Sequence, residues 1–209
     1  YLFKKKRIKN VTKTHAIFND KIFNLLDHPQ LISFLRFPFV QQMFFVHNRF
    51  FIFKELKELQ KSRSYWPLYK KLLIEDDAGD PVRYFLYPQS SGNRINHVYH
   101  LSILQNFLKK DLLKIREVFE FGGGYGCMAR IFFNINKRVN YKIFDTFYMN
   151  LLQYYYLKIL NQNPFLGYRA KQNLLLMNDV NQLKKFNKKK IKDLLFIANW
   201  SLLEVSLEF

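Results

Sequence analysis

One segment limits the possible folds of this chain more than any other, a short apolar run that ends in a group of glycines. Residues 118–121 are Val-Phe-Glu-Phe, residues 122–126 include four glycines, and residues 125–134 have apolar side chains at helical spacing. A strand, a glycine turn and a helix in this order are typical of the first βα unit of a parallel sheet. The segment therefore predicts an α/β protein.

The sequence on both sides of this segment continues the alternation of strand and helix. We predict strands over residues 116–121, 141–145, 172–177 and 193–198, and helices over residues 93–108, 125–134, 147–160 and 180–186. Strands that alternate with helices pair in parallel through right-handed crossovers. Residues 93–209 are therefore expected to form the first four strands of a Rossmann-like, doubly wound parallel sheet. Ligands of such sheets bind beyond the carboxyl ends of the strands.

The first 92 residues have a different pattern, in which helical spacing is interrupted by proline and glycine. Apolar residues recur at helical intervals over residues 17–26, 31–37 and 40–59, with breaks at residues 27–29 and at Pro38. Residues 65–92 contain three prolines and two glycines, which predicts a connecting loop with short elements. We therefore expect a helical N-terminal region with a connecting loop at 1–92, followed by the core at 93–209.

The glycine loop, defined as residues 122–126, and the acid before it fit the pattern acidic-x-Gly-x-Gly-x-Gly. The residues that fit are Glu120, Gly122, Gly124 and Gly126. Glycines allow the positive φ of a tight turn and let a ligand approach the backbone. The free N–H groups of the following helix suit a carboxylate, and Glu120 suits a cationic amine. A carboxylate and an amine together describe the methionine end of S-adenosylmethionine.

Acids that follow the next two strands would complete such a site. Asp145 ends the second predicted strand, about twenty residues beyond the glycines, where an acid can accept both ribose hydroxyls. The third strand leads to Asn178 and Asp179, where a side chain could contact the adenine amine. The sequence therefore predicts S-adenosylmethionine as the cofactor, bound by Glu120, the glycine loop, Asp145 and Asp179.

The glycine loop also allows other interpretations. Gly124, Gly126 and Ala129 fit a dinucleotide-binding fingerprint, although two more glycines separate them from the strand and Glu120 would repel a pyrophosphate. The loop could also serve the fold alone, without holding a ligand. A phosphate-binding P-loop is excluded because no Gly-Lys-Ser or Gly-Lys-Thr follows the glycines.

Several runs beyond the glycine loop point to a particular family. They are residues 91–93 (Ser-Gly-Asn), 97–101 (His-Val-Tyr-His-Leu), 119–126, 144–145 (Phe-Asp), 152–157 (Leu-Gln-Tyr-Tyr-Tyr-Leu) and 196–204. Through these runs the chain resembles the sugar O-methyltransferase family over residues 83–208. The resemblance implies a class I methyltransferase core and methylation of a sugar or sugar nucleotide, in polysaccharide or glycoconjugate biosynthesis. The glycine motif alone is common to all class I methyltransferases.

A sugar hydroxyl is a weak nucleophile, so methyl transfer to it gains about 10²–10⁴-fold from a nearby base. Glu204 follows the fourth predicted strand, and His97 and His100 lie one helical turn apart before the first. Each candidate also has a structural explanation, because Glu204 and Ser201 fit a helix capping box and the histidines could pack in an ordinary interface. No metal site is predicted at the histidines, since no third ligand lies at a recognisable spacing.

The overall composition limits the partners and the location of the protein. The 34 Lys and Arg residues against 16 Asp and Glu residues give a net charge of +18. Such a charge can favour nucleic acid or anionic membranes, but A/T-rich codons produce the same excess of Lys, Asn, Ile, Phe and Tyr, so nucleic acid is not expected as a partner. No apolar run of about 18 residues predicts a membrane-spanning helix. The only cysteine, Cys127, rules out an internal disulfide framework and favours a cytoplasmic location.

The two ends of the chain and the choice of acceptor leave further alternatives. The sequence begins with Tyr1 rather than Met and stops at Phe209 in a predicted passage from strand to loop. We therefore expect a fragment of a longer protein, with a sheet that lacks its C-terminal strands.

Two alternative functions stay open. The chain could transfer a methyl group to another small molecule or to a nucleic acid, or it could be a non-catalytic relative that keeps the loop for structure.

Overall fold

The computed structural model describes residues 13–44, 50–108, 111–169, 171–186, 194–199 and 201. Its α-helices are α1 (Lys13–Leu26), α2 (Pro38–Met43), α3 (Phe50–Lys61), α4 (Trp66–Leu72), α5 (Gly92–Leu108), α6 (Cys127–Ile135), α7 (Phe147–Ile159) and α8 (Val180–Phe186). Short 3₁₀ helices span Leu31–Arg36 and Leu112–Lys114. Its strands are β1 (Arg83–Tyr84), β2 (Tyr87–Ser91), β3 (Glu117–Phe121), β4 (Asn140–Phe144), β5 (Phe165–Leu166), β6 (Leu174–Met177) and β7 (Leu194–Ile197).

Five strands form one parallel sheet in the order β5-β6-β4-β3-β7. From β3 the chain passes to β4, then to β5 at the edge of the sheet and back to β6 beside β4. It then crosses to β7 on the opposite side of β3. This reversal creates a switch point between β3 and β7, and ligands of open parallel sheets bind at the carboxyl ends of the strands beside such a point. The predicted α/β fold with a Rossmann-like parallel sheet is confirmed.

Strand β5 is the part of the sheet that the sequence does not predict. It has two residues, which are too few for a periodic signal. It lies at the edge of the sheet beside β6, with Leu166 opposite Leu176. The other four strands agree with the predicted ranges to within a residue or two, as is usual for element ends.

One compact unit contains the described residues among 1–31, 116–126 and 138–209. A cluster of Phe119, Phe144, Leu175 and Met177 forms part of its core on the sheet. Helix α7 packs against β5 and β6, and α1 packs against α7.

Thr146 joins α1 to the segment that follows β4. This residue precedes α7, but its side chain makes no capping hydrogen bond to that helix. Its hydroxyl instead donates to Asn19 Oδ1 of α1 at a distance of 2.8 Å. The first helix of the described chain is therefore tied to the residue next to Asp145, within the same unit.

The second compact unit contains the described residues among 32–115 and 127–137. Helix α5 packs against α3, α6 and β2, and α4 packs against α3 and α6. Strands β1 and β2 form an antiparallel pair. No helix in the described part of the chain combines the length and the apolar character needed to cross a membrane.

A cluster of buried and partly buried charges lies inside this second unit. Arg94 is fully buried in the first turn of α5, and its Nη1 atom lies 3.0 Å from Glu75 Oε1 and 3.1 Å from Asp76 Oδ2. Arg130 of α6 makes a bidentate contact with Asp76, with N–O distances of 3.0 and 2.6 Å. Burial favours the neutral acid, but the hydrogen bonds and charges of the two arginines outweigh it and lower the pKa of Asp76. The cluster therefore fixes the start of α5 with compensated charges.

The prediction for residues 65–92 is a connecting loop with short elements, and short elements are found there. It contains the helix α4 and the β1–β2 pair. Pro67 lies in the first turn of α4, where its missing N–H would have no helical partner in any case. A proline that we interpreted as a loop signal therefore marks the start of a helix. The proposed boundary between residues 92 and 93 stays a prediction.

The helix predicted over residues 40–59 differs from the structure. Helix α2 begins at Pro38 and ends at Met43, and α3 begins at Phe50. Residues 45–49, in the middle of the predicted helix, lie outside the described residues. Pro38 again occupies the first turn of a helix, where it is compatible with helical geometry.

Candidate cofactor site

The carboxyl ends of β3, β4 and β6 lie in register at one edge of the sheet. Phe121 is paired with Phe144, and Phe144 is paired with Met177. The ladder extends one residue further, because Gly122 N donates to Phe144 O and Asp145 N donates to Met177 O, each at 2.9 Å. The glycine loop, Asp145 and the segment 178–179 therefore leave neighbouring strands side by side. The structure brings the predicted cofactor-binding residues together at this edge, and their binding roles stay predictions.

The glycines of the motif have the positive φ that the sequence predicts. The φ angle is 73° at Gly122, 53° at Gly124 and 100° at Gly126. A Cβ atom on Gly122 would overlap the side chain of Ser201, and the hydroxyl of Ser201 donates to Phe121 O. The loop therefore passes directly against a residue that follows β7, across the switch point.

Helix α7 holds the glycine loop at two points. The buried rings of Tyr125 and Tyr156 pack edge to face, with their centroids 5.0 Å apart. The carbonyl oxygen of Gly124 accepts a hydrogen bond from Gln153 Nε2 at 2.8 Å. Because α7 also packs against β5 and β6, these contacts fix the loop relative to the sheet.

Glu120 lies next to the end of β3, and only 3% of the residue is exposed. Tyr141 Oη donates a hydrogen bond of 2.8 Å to Glu120 Oε2. Burial raises the pKa of Glu120 to about 8, the hydrogen bond from Tyr141 opposes this rise, and the negative charge of Asp145 adds to it. A nearby positive charge would favour the ionised form of such a carboxyl. The surroundings of Glu120 therefore suit an ammonium group.

Asp145 follows β4, and both of its carboxylate oxygens accept hydrogen bonds from the protein. Oδ1 accepts from Thr146 N at 2.7 Å, and Oδ2 accepts from Gln153 Nε2 at 2.8 Å. The same Gln153 nitrogen donates to Gly124 O, so one buried amide joins the glycine loop to the acid. Each carboxylate oxygen can accept more than one hydrogen bond, so these contacts are compatible with a ribose diol at Asp145.

Asp179 lies at the same edge, and its side chain caps the helix that follows it. Its Oδ1 atom accepts a hydrogen bond of 2.8 Å from Asn181 N, in the first turn of α8. This is the geometry of a helix N-cap. The Asp179 side chain is exposed, and its predicted contact with an adenine amine stays a prediction.

His97 and His100 lie one turn apart on α5, in the second unit. The Nδ1 atom of each is buried and has no hydrogen-bond partner among the described residues. Burial lowers the pKa of His97 to about 3, with the positive charges of His100 and Arg94 adding to the effect, and burial also lowers the pKa of His100. Both imidazoles are therefore neutral near pH 7. So low a pKa makes His97 a weak proton acceptor, which disfavours it as a general base.

Glu204, the other predicted base, lies outside the described residues. Its role as a base and its alternative role in a capping box with Ser201 both stay predictions. Across the ranges that the structure describes, no three His, Cys, Asp or Glu side chains come close enough together to hold a metal ion.

Sequence patterns miss three residues that shape this edge, namely Tyr141, Gln153 and Ser201. Gln153 offers the clearest signal, because it is a polar residue on the buried face of α7, one turn from Met149 and Tyr156. The contacts of Tyr141 and Ser201 depend on which strands are neighbours and in what register. Neither can be obtained from the spacing of residues along the chain.

Comparison of the chain with protein-family models, with curated proteins and with solved structures found no match. The class of protein is therefore defined by the fold, an α/β protein with a Rossmann-like parallel sheet. The site adds only that a ligand could bind at the switch point of that sheet. Any finer assignment is a proposal.

Proposed function

We propose that this chain is an S-adenosylmethionine-dependent methyltransferase that methylates a sugar hydroxyl. The observation that carries the proposal is the position of Glu120 and Asp145 beside the glycine loop, on neighbouring strands at the carboxyl edge of a parallel sheet. The fold by itself supports a ligand at this edge and no particular chemistry. The two acids support a ligand that carries both an amine and a ribose.

The residues at the edge fit the two ends of S-adenosylmethionine. Glu120 would accept the α-ammonium group, whose positive charge offsets the cost of ionising a buried carboxyl. The glycine loop has little side-chain bulk, so the methionine carboxylate could approach its backbone closely. Asp145 would accept the ribose hydroxyls while Thr146 N and Gln153 Nε2 hold its carboxylate in place.

Glu120 also favours this ligand over a nicotinamide dinucleotide. A dinucleotide would place its pyrophosphate against the loop, beside a buried carboxyl with no ammonium group to pair with it. An anion there would raise the pKa of Glu120 further, so its affinity should fall as the pH rises above about 8 and Glu120 would otherwise ionise. Asp145 does not discriminate between the two ligands, because both contain a ribose.

The chain would contribute position and a proton acceptor to the reaction. The cofactor, when bound, supplies a methyl group on a sulfonium centre, so holding the two reactants in line is the main task of the protein. Glu120, the loop and Asp145 would orient the cofactor. Glu204 is the leading candidate to accept the proton of the acceptor hydroxyl, because the low pKa of His97 argues against that residue. A sugar as the acceptor rests on the resemblance of residues 83–208.

Methyl transfer to a nucleic acid is a second candidate function, and the net charge of +18 favours it. Incubation with S-adenosylmethionine carrying a radiolabelled methyl group separates the two functions. We expect label to enter nucleotide sugars or oligosaccharides, with RNA unlabelled and with the Asp145→Ala variant less active at limiting cofactor. Label in RNA alone would favour the second function. No label in any acceptor, together with no binding of S-adenosylhomocysteine, would overturn the proposal.

A further inference from the structure

Gln153 occupies a position on α7 at which an apolar residue would be expected. It is 0% exposed, and its neighbours on the same helix face include the buried Met149, Tyr156 and Leu157. A buried amide costs free energy unless it is hydrogen-bonded. The Nε2 atom of Gln153 makes two such bonds, to Gly124 O and to Asp145 Oδ2, each of 2.8 Å.

Both partners of Gln153 Nε2 are acceptors, which fixes the orientation of the amide. If the amide were reversed, Oε1 would face a carbonyl oxygen and a carboxylate oxygen, and the contacts would be repulsive. In the observed orientation Oε1 is buried without a hydrogen-bond partner among the described residues. The side chain therefore satisfies its donors at the expense of its acceptor. The arrangement therefore provides hydrogen bonds to Gly124 O and Asp145 Oδ2 and leaves the acceptor of the amide without one.

We propose that Gln153 is a positioning residue that holds the glycine loop and Asp145 at a fixed separation. The proposal rests on the proposed cofactor, whose methionine end and ribose would bind at these two places. Gly124 belongs to a loop rich in glycine, whose backbone has wide conformational freedom, and Gln153 Nε2 binds the Oδ2 oxygen of Asp145 while Thr146 N binds Oδ1. One amide that binds both would present them together to a ligand that spans them, and this lowers the ordering cost of binding.

Calorimetric titration with S-adenosylhomocysteine tests this role through a double-mutant cycle. Gln153→Met keeps the length of the side chain and removes both donors. We expect it to weaken binding about tenfold or more in the otherwise unchanged protein. In the Asp145→Ala background the same change should weaken binding less than about threefold, because the carboxylate that Gln153 orients is then absent.

Asn150→Leu is the matched control for this cycle. Asn150 lies on the same helix, is 1% exposed, and has a buried Oδ1 atom without a hydrogen-bond partner among the described residues. Its replacement alters a buried polar side chain of α7 and leaves the Gln153 contacts intact. The affinity of this variant should stay within about twofold of the original.

A ligand-free measurement keeps the proposal testable if Gln153→Met lowers stability. Hydrogen exchange at the Gly124 and Tyr125 amides should become faster in Gln153→Met than in Asn150→Leu, because only the first substitution releases the loop.

Equal affinities in Gln153→Met and the original protein would overturn the inference and leave the proposed function standing. Equal losses with and without Asp145 would also overturn it, since Gln153 would then act only on the general fold. If the original protein does not bind S-adenosylhomocysteine at all, the proposed function fails and the inference fails with it.

Discussion

The phenol of Tyr141 donates a 2.8 Å hydrogen bond to the buried carboxyl of Glu120. That bond favours the ionised carboxyl, whereas burial and the charge of Asp145 favour the neutral one. Burial has the larger effect, and the pKa of Glu120 is about 8. Most Glu120 side chains are therefore protonated near pH 7 in the ligand-free protein. An ammonium group that binds beside Glu120 would have to displace this proton.

We expect the affinity for S-adenosylhomocysteine to rise with pH between pH 6 and pH 8, as Glu120 loses its proton. The rise should approach about tenfold per pH unit at the acid end of this range. Tyr141→Phe should move the rise to higher pH, because it removes the hydrogen bond that favours the ionised form. Calorimetric titrations at pH 6, 7 and 8 measure both profiles. An affinity that does not change with pH in either protein would show that the ionised form of Glu120 does not pair with the ligand.

Glu120→Gln should stabilise the ligand-free protein near pH 8 and weaken cofactor binding. The folded pKa of about 8 lies above the ordinary value of 4.5, so the folded chain binds more protons than the unfolded chain between these values. Its stability therefore falls as the pH rises through this window. Glutamine does not titrate and keeps an acceptor for Tyr141.

Thermal melts at pH 5 and pH 8 test this expectation. The melting temperature of the variant should exceed that of the original protein by about 2 °C or more at pH 8. The difference in melting temperature should be smaller at pH 5. Its affinity for S-adenosylhomocysteine should be lower by about tenfold or more. A variant that melts below the original protein at pH 8 would show that Glu120 is not held in its neutral form.

Gly124→Val should abolish cofactor binding and leave most of the sheet folded. The φ of 53° at Gly124 disfavours a β-branched residue, and a side chain there would occupy space that a ligand needs against the loop. Gly167→Ala is the control, because Gly167 also has a positive φ, of 99°, outside the glycine loop. Circular dichroism and calorimetry together measure the outcome. Unchanged affinity in Gly124→Val would mean that the loop does not hold the cofactor.

Glu204→Gln should lower turnover about 10²-fold or more while the affinity for the cofactor stays nearly the same. This result is expected if Glu204 is the base. A role in a capping box predicts normal turnover instead, since glutamine also serves there. His97→Ala should reduce turnover less than Glu204→Gln, because a pKa of about 3 leaves His97 a weak base. A larger loss of turnover in His97→Ala than in Glu204→Gln would assign the base to the histidine pair.

Two helices of the first unit could be predicted from the sequence. The helix at 180–186 agrees with α8, and the helix at 147–160 agrees with α7 except for its last residue. Helices with proline in the first turn, such as α2 and α4, could not be predicted in the same way, because proline marks both loops and first helical turns. Strand β5 could not be predicted either, because its pairing with β6 determines it and two residues carry no pattern.

The candidate site shows the same division between local and non-local information. The chain order alone places Glu120, the glycine loop and Asp145 at strand ends, because they belong to consecutive βα units. The bridge by Gln153 requires the packing of α7 against the sheet, which sequence spacing does not give. Gly123 is a related case. A Cβ there would come too close to the Ile143 side chain, a constraint that exists only after β3 and β4 have paired.

Titration of the protein with S-adenosylhomocysteine and, separately, with NADH tests the central claim most directly. We expect micromolar binding of S-adenosylhomocysteine, weakened in Asp145→Ala by about 1–3 kcal/mol because its ribose hydroxyls lose their acceptor. NADH should bind more weakly than S-adenosylhomocysteine, because it has no ammonium group to pair with Glu120. Binding of NADH without binding of S-adenosylhomocysteine would contradict the assignment.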